Sequence, residues 1–197
     1  AACAARLPVR ERPFPAAPDR WVDPQGTRVR DSRDAIKILE DTDGDGRFDK
    51  QIVFADKMMF PEGCLWLDGS LYVAAPPSIW KLTDTNSDGM ADVREEWFKG
   101  KTLTGCANDL HGPYAGPDGW IYVAQGDFGF MEATGTDGRK LQFRGGGVWR
   151  VRTDGTGMEM YTFGTRNIVG AAVSPTLELF ARDFGERQVD QQRRSGA

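Results

Sequence analysis

The sequence predicts an all-β fold, an open part of a β-propeller with four-stranded antiparallel blades, and three observations predict it. Residues 35 to 183 form short aromatic and β-branched runs punctuated by Gly, Pro and Asp, the pattern of strands and turns. The runs recur as a unit. "LDGSLYVAA" (Leu67–Ala75) returns as "PDGWIYVAQ" (Pro117–Gln125) and, worn, as "SPTLELFAR" (Ser174–Arg182). Two acidic turns, "DTDGDGRFD" (Asp41–Asp49) and "DTNSDGMAD" (Asp84–Asp92), stand 43 residues apart.

Taken in order, the predicted strands are Ala35–Leu39, Gln51–Ala55, Cys64–Leu67, Leu71–Ala75, Ser78–Leu82, Val93–Phe98, Trp120–Gln125, Gly147–Val151 and Met158–Phe163. After each of the first two repeat copies comes a second hairpin, "SIWKLTDTNSDGMADVREEWF" and then "GVWRVRTDGTGMEMYTF". Four strands with a period of about 43 to 58 residues make a unit of propeller-blade size. The chain then holds the end of one blade, two whole blades and the opening half of another. A β-sandwich would supply similar strands but would not explain the repeated order of turn types. No amphipathic pattern supports a helix longer than two turns. Trp66, Trp80, Trp97, Trp120 and Trp149 fall at strand positions and are expected to pack between blades. "RGGGVW" (Arg144–Trp149) lacks the frame of a phosphate-binding loop and is expected to be the entry to a strand.

The flanks differ. Ala1–Asp34 holds seven arginines, no lysine and five of the eleven prolines, which predicts a linker or poorly ordered segment over 1–34. Residues 184–197 are expected to be a polar tail. A net charge of −4 gives no nucleic-acid footprint. No apolar run approaches the roughly 18 residues of a membrane span. The start lacks Met and the apolar core of a signal peptide, so an excerpt of a longer protein is expected. Three cysteines, Cys3, Cys64 and Cys106, include no C-x-x-C pair. Either Cys64 and Cys106 form a disulfide or both are buried thiols.

The acidic turns carry the first chemical expectation. The spacing D-x-[DN]-x-[DN]-G converges alternate oxygens on a hard cation as the chain curls. The expected calcium ligands are Asp41, Asp43, Asp45 and Asp49 with the carbonyl of Arg47, then Asp84, Asn86, Asp88 and Asp92 with the carbonyl of Met90. Loop two continues to Glu95 and so satisfies the whole EF-hand pattern, whereas loop one has Ile52 at that place. An EF-hand needs flanking helices, and these loops are flanked by strands. Strand-flanked loops ending in Asp at position nine resemble the calcium hairpins of integrin α-subunit propellers. Glu95 is then an ordinary strand residue. The competing reading is a solvated acidic turn, since Asp, Asn and Gly favour turns anyway. "RTDGTGM" in the next hairpin has too few oxygen ligands for an ion.

Together "ILEDTDGDGRFDKQIVFAD", "DTNSDGMADVREEWF", "NDLHGPYAGPDGWIYVAQGDFG" and "GTRNIVGAAVSP" resemble the propeller domain of PVC-type haem-binding proteins, also called putative membrane-bound dehydrogenases. The resemblance covers residues 35 to 183 and implies a periplasmic or extracellular protein. It also implies a haem c module downstream of this piece as a partner. Leu177 departs from it, standing at a turn position where glycine is expected. A more distant resemblance is to the soluble quinoprotein glucose and sorbosone dehydrogenases, which are six-bladed. It is carried by His111 ahead of Gly116-Pro117-Asp118 and Gly126-Asp127, and by Gly164, Arg166, Asn167 and Gly170.

That second resemblance implies roles. His111 would be the general base, Asp127 its orienter, and Arg166 with Asn167 the contacts of a pyrroloquinoline quinone. The substrate would be a carbohydrate or other alcohol. His111 is the only histidine, and alcohol oxidation needs a base near pH 7. Two alternatives stand beside this. His111 bonds a neighbouring blade, and Arg166 pairs with Asp109 or Asp127 as structural glue. The competing function is a non-catalytic calcium-binding propeller that binds a carbohydrate or protein partner.

Overall fold

A computed structural model describes residues 2–5, 20–22, 29–31, 34–100, 110–126 and 130–183. The fold among them is all-β and antiparallel, with no helix. The strands are β1 (Ala2–Ala5), β2 (Arg20–Val22), β3 (Val29–Asp31), β4 (Asp34–Glu40), β5 (Lys50–Met58), β6 (Gly63–Leu67), β7 (Ser70–Ala75), β8 (Ser78–Thr83) and β9 (Val93–Phe98). They continue as β10 (Leu110–Ala115), β11 (Trp120–Gln125), β12 (Phe130–Thr134), β13 (Lys140–Arg144), β14 (Gly146–Arg152), β15 (Glu159–Thr165), β16 (Ile168–Val173) and β17 (Leu179–Asp183). All nine strands read from the sequence are present. The hairpin β12–β13 lies where no strand is predicted.

Two sheets have four strands each, in the orders β6-β7-β8-β9 and β10-β11-β14-β15. Before them stands the sheet β1-β4-β5, and after them the pair β16-β17. Among the described residues, β2 pairs with β3 alone and β12 with β13 alone, the latter pair leaving the third sheet between β11 and β14. Turns repeat as the sequence repeats. Asp68-Gly69 joins β6 to β7, Asp118-Gly119 joins β10 to β11, and Thr176-Leu177 joins β16 to β17. Leu177 takes the left-handed conformation there, at φ 67°, and its N–H donates to Ser174 O at 2.9 Å.

Burial follows from strand alternation. β7 is buried along its whole length because its two faces meet two sheets. Leu71, Val73 and Ala75 pack with Ile36, Phe54 and Met58 of the first sheet. Tyr72 and Ala74 point the other way, to Leu110, Ile121, Val123 and Trp149 of the third sheet. β11 repeats the arrangement, with Tyr122 and Ala124 turned to Ile168 and Val173. A strand buried on both faces reads as a continuous apolar run. Four sheets thus stack face to face with three cores between them. The first strands of successive sheets also meet, β10 lying against β6 on one side and β16 on the other.

Polar contacts lock the third sheet. The Arg150 guanidinium stacks 4.5 Å from the Trp120 ring centroid and donates to Glu159 Oε1 at 2.6 and 2.8 Å. Trp149 and Trp97 pack into the core between the second and third sheets, as their strand positions predict. Trp66 differs. It lies on the face turned to the first sheet and edges Phe54, but stays 57% exposed.

Candidate functional site

The two acidic turns connect the last two strands of their sheets, β4 to β5 and β8 to β9. Each begins on an Asp that gathers two backbone donors. Gly44 and Gly46 donate to the carboxylate of Asp41 at 2.7 and 2.9 Å. Ser87 and Gly89 donate to Asp84 at the same two distances. The third residue of each loop accepts from the fifth (Asp45 N–H to Asp43, Asp88 N–H to Asn86), and the fifth from the seventh (Arg47 to Asp45, Met90 to Asp88). The ninth residue, Asp49 or Asp92, accepts the backbone N–H and hydroxyl of Thr42 or Thr85. Its own N–H closes the loop on Glu40 O or Thr83 O. Gly46 and Gly89 adopt φ of 87° and 88°, a conformation glycine takes at no steric cost.

This register turns the first three acidic side chains of the first loop toward one point. Ligand oxygens of Asp41, Asp43 and Asp45 lie within 4.8 Å of one another, a cluster that can hold a metal ion. All are hard oxygen donors, which suit Ca²⁺ or Mg²⁺ rather than a soft metal. Loop two has Asn86 where loop one has Asp43, so it offers one carboxylate fewer. Ile52, where an EF-hand has its last carboxylate, lies under Gly89 of the second loop. Glu95 sits on β9 opposite Lys81.

The third such hairpin, β14 to β15, is closed differently. Asp137, at the tip of the β12–β13 hairpin, accepts the N–H of Gly157 at 2.8 Å and that of Arg139 at 3.0 Å. Thr136 donates its N–H to Gly155 O and its hydroxyl to Asp154 O. A carboxylate of the chain ties this loop.

These bonds hold several carboxyls below their ordinary range. Asp41 is lowered chiefly by the Gly46 N–H, Asp49 by the Thr42 hydroxyl, and Asp92 by the Thr85 N–H. A group whose folded pKa is depressed stabilises the fold above its unfolded pKa, about 3.9 for Asp. That contribution is lost as pH falls through the folded value. The melting midpoint without added cation is therefore expected to fall as pH drops below about 4. A midpoint that rises below that pH would contradict this.

A second cluster forms where the first strands meet. His111, on β10, is 4% exposed. Its Nδ1 lies 3.3 Å from Glu62 Oε2, just before β6, and its Nε2 lies 3.0 Å from Asn167 Oδ1, just before β16. Three sheets thus contribute one residue each. The Asp183 carboxylate of β17 fixes the approach to β16 by accepting the N–H groups of Asn167 (2.6 Å) and Arg166 (3.0 Å). The structure therefore brings His111 and Asn167 together, with half-buried Arg166 adjacent in the chain. Asp127 lies outside the described residues, as do Cys106 and Asp109.

Glu62 is absent from the sequence expectations. A signal for it existed. Aligning Leu67-Asp68-Gly69 with Pro117-Asp118-Gly119 places Pro61 and Glu62 level with His111 and Gly112.

The approach of β6 to β10 depends on Gly63, where an added Cβ would stand 2.5 Å from Gly112 O. Gly63→Ala is expected to cost about 2–4 kcal/mol, from overpacking against backbone and from strain at φ 155°. Urea melts check it, and a loss below about 0.5 kcal/mol, the range of an unremarkable surface change, would contradict the close approach.

A separate cleft of about 390 Å³ opens between β9 and the β12–β13 hairpin. Trp97, Glu96 and Glu132 line its walls, and Val151 and Met158 also line it.

A family model described as a domain of unknown function (DUF7133) matches residues 15–192, extending beyond the sequence repeat on both sides. No curated protein and no solved structure matches the chain.

Proposed function

The chain belongs to the DUF7133 family, and from its own residues we propose that it is a calcium-stabilised propeller domain of an exported, dehydrogenase-like protein. One observation carries the calcium reading. Two loops 43 residues apart repeat the same hydrogen-bond register on equivalent hairpins, with Asp41, Asp43 and Asp45 converging in the first. In this reading each sheet is a blade, and the ion pins its outer hairpin.

Calcium is expected to raise the melting midpoint. Saturation at 100 times the dissociation constant stabilises the folded state by about 2.7 kcal/mol. Asp43→Ala should remove the share of the first loop and leave that of the second. Titration calorimetry without heat, together with an unmoved midpoint, would sink the calcium reading.

The inner cluster is the proposed reacting end, where an alcohol or sugar would be oxidised. His111 would take the hydroxyl proton at Nε2, the incoming hydroxyl replacing the Asn167 side chain that meets this nitrogen at 3.0 Å. Arg166 and Asn167, a guanidinium and an amide beside the imidazole, have the donor chemistry to hold a quinone bearing carboxylates. When bound, that quinone supplies the hydride acceptor. The supporting observation is that residues 56 apart in sequence, His111 and Asn167, meet at 3.0 Å. A sugar and alcohol panel with pyrroloquinoline quinone and a dye acceptor tests it, and no oxidation anywhere ends the enzyme reading.

The cleft beside β9 favours a second reading, a binding module for a carbohydrate. An indole wall with two carboxylates, Glu96 and Glu132, suits a polyhydroxylated ring. Binding of a sugar that Trp97→Ala abolishes, without turnover, would select it.

A further inference from the structure

The contacts of His111 constrain where its proton sits. Nδ1 faces a Glu62 carboxylate oxygen at 3.3 Å, and Nε2 faces the Asn167 side chain at 3.0 Å. With Glu62 ionised, its carboxylate only accepts hydrogen bonds, so Nδ1 donates to it. Two arrangements then satisfy both contacts. In one the ring is neutral, and the Asn167 amide is turned so that its NH₂ donates to Nε2, a flip of the kind that hydrogen-bond networks decide. In the other the ring is an imidazolium that donates to Glu62 and to Asn167 Oδ1. Both keep a proton on Nδ1, and both leave Nε2 as the nitrogen whose proton comes and goes.

We propose that Glu62 is the positioning residue of His111, fixing its tautomer from the neighbouring sheet. This rests on the reading of His111 as a base and supplies the carboxylate that such a base needs behind it. Glu62 is well placed. Its side chain is 11% exposed and that of His111 5%, so solvent screens their interaction little. The strands packed around the pair, β7, β11 and β16, carry no Asp, Glu, Lys or Arg. Beside Asn167 stand Arg166 and Asp183, the latter accepting two backbone N–H groups. The Gly63 approach holds the geometry by letting the strand that follows Glu62 come against β10.

The test uses the whole chain labelled with ¹⁵N-histidine, which gives one imidazole because there is one histidine. At neutral pH the Nδ1 resonance is expected to be that of a protonated nitrogen. Glu62→Gln keeps the shape and removes the charge, so the imidazolium midpoint should fall by about one pH unit or more. Glu62→Asp should restore part of that shift. A wild-type ring with its neutral proton on Nε2 would overturn the proposal, as would equal midpoints in wild type and Glu62→Gln. The wild-type spectrum decides the tautomer even where a variant fails to fold. A protonated Nδ1 in a protein that oxidises no alcohol would uphold the positioning and remove the catalytic role, so the two failures are distinguishable.

Discussion

Trp149→Ala is expected to cost about 3–5 kcal/mol of stability, the range for deleting a large buried aromatic side chain. Trp149 is fully buried on β14, in the core between the second and third sheets. Its ring lies 4.7 Å from that of Phe98, centroid to centroid, across the two sheets. Truncation leaves a cavity that strands hydrogen-bonded on both sides cannot collapse to fill. Trp149→Phe should behave differently. Nε1 of Trp149 is buried with no hydrogen-bond partner, so phenylalanine removes an unsatisfied donor while keeping most of the packing. Its loss should stay below about 2 kcal/mol by the same bookkeeping. Urea melts of the two variants check both values, and equal losses would show that the ring is not what holds these sheets together.

The second large effect concerns turnover. If the inner cluster oxidises an alcohol, His111→Gln should lower dye-linked oxidation by about 10²–10⁴, the usual loss when a positioned general base is removed. Glutamine keeps a hydrogen-bonding side chain between Glu62 and Asn167, so the calcium response and the melting curve should survive. The separation matters because His111 also joins three sheets. Lost activity with an intact fold marks a base. Collapse of both marks a structural clasp, the outcome in which His111 serves only as a link between neighbouring sheets.

What the sequence disclosed follows physical lines. Leu71–Ala75 and Trp120–Gln125 were legible because strands buried on both faces cannot disguise their composition. The acidic turns were legible because position within the loop sets both the side-chain chemistry and the sign of φ. Even Leu177 was visible as an anomaly, a branched side chain in a turn that wants φ > 0. The β12–β13 hairpin was not legible. Its residues Glu132, Lys140 and Gln142 are poor strand formers, and among the described residues its two strands pair with each other alone. Glu62 was harder to read, visible only when the repeat copies are aligned. Its meaning depends on His111, 49 residues away on another sheet, and neither sheet encodes the contact alone. Inter-sheet packing is where the sequence was least readable, and the candidate site lies there.

The hairpin tied by Asp137 sets the molecule's ends apart. A carboxylate carried by the chain is present at full occupancy as soon as the chain folds. An ion arrives only as its concentration outside allows. On the calcium reading, the first two outer hairpins are tuned to the surrounding medium, while the third is indifferent to it. The protein would then carry a graded sensitivity along its length, responsive near residue 45 and self-sufficient near residue 155. Scarcity of the ion would loosen one flank and spare the other, leaving the cluster around His111 braced from the indifferent side.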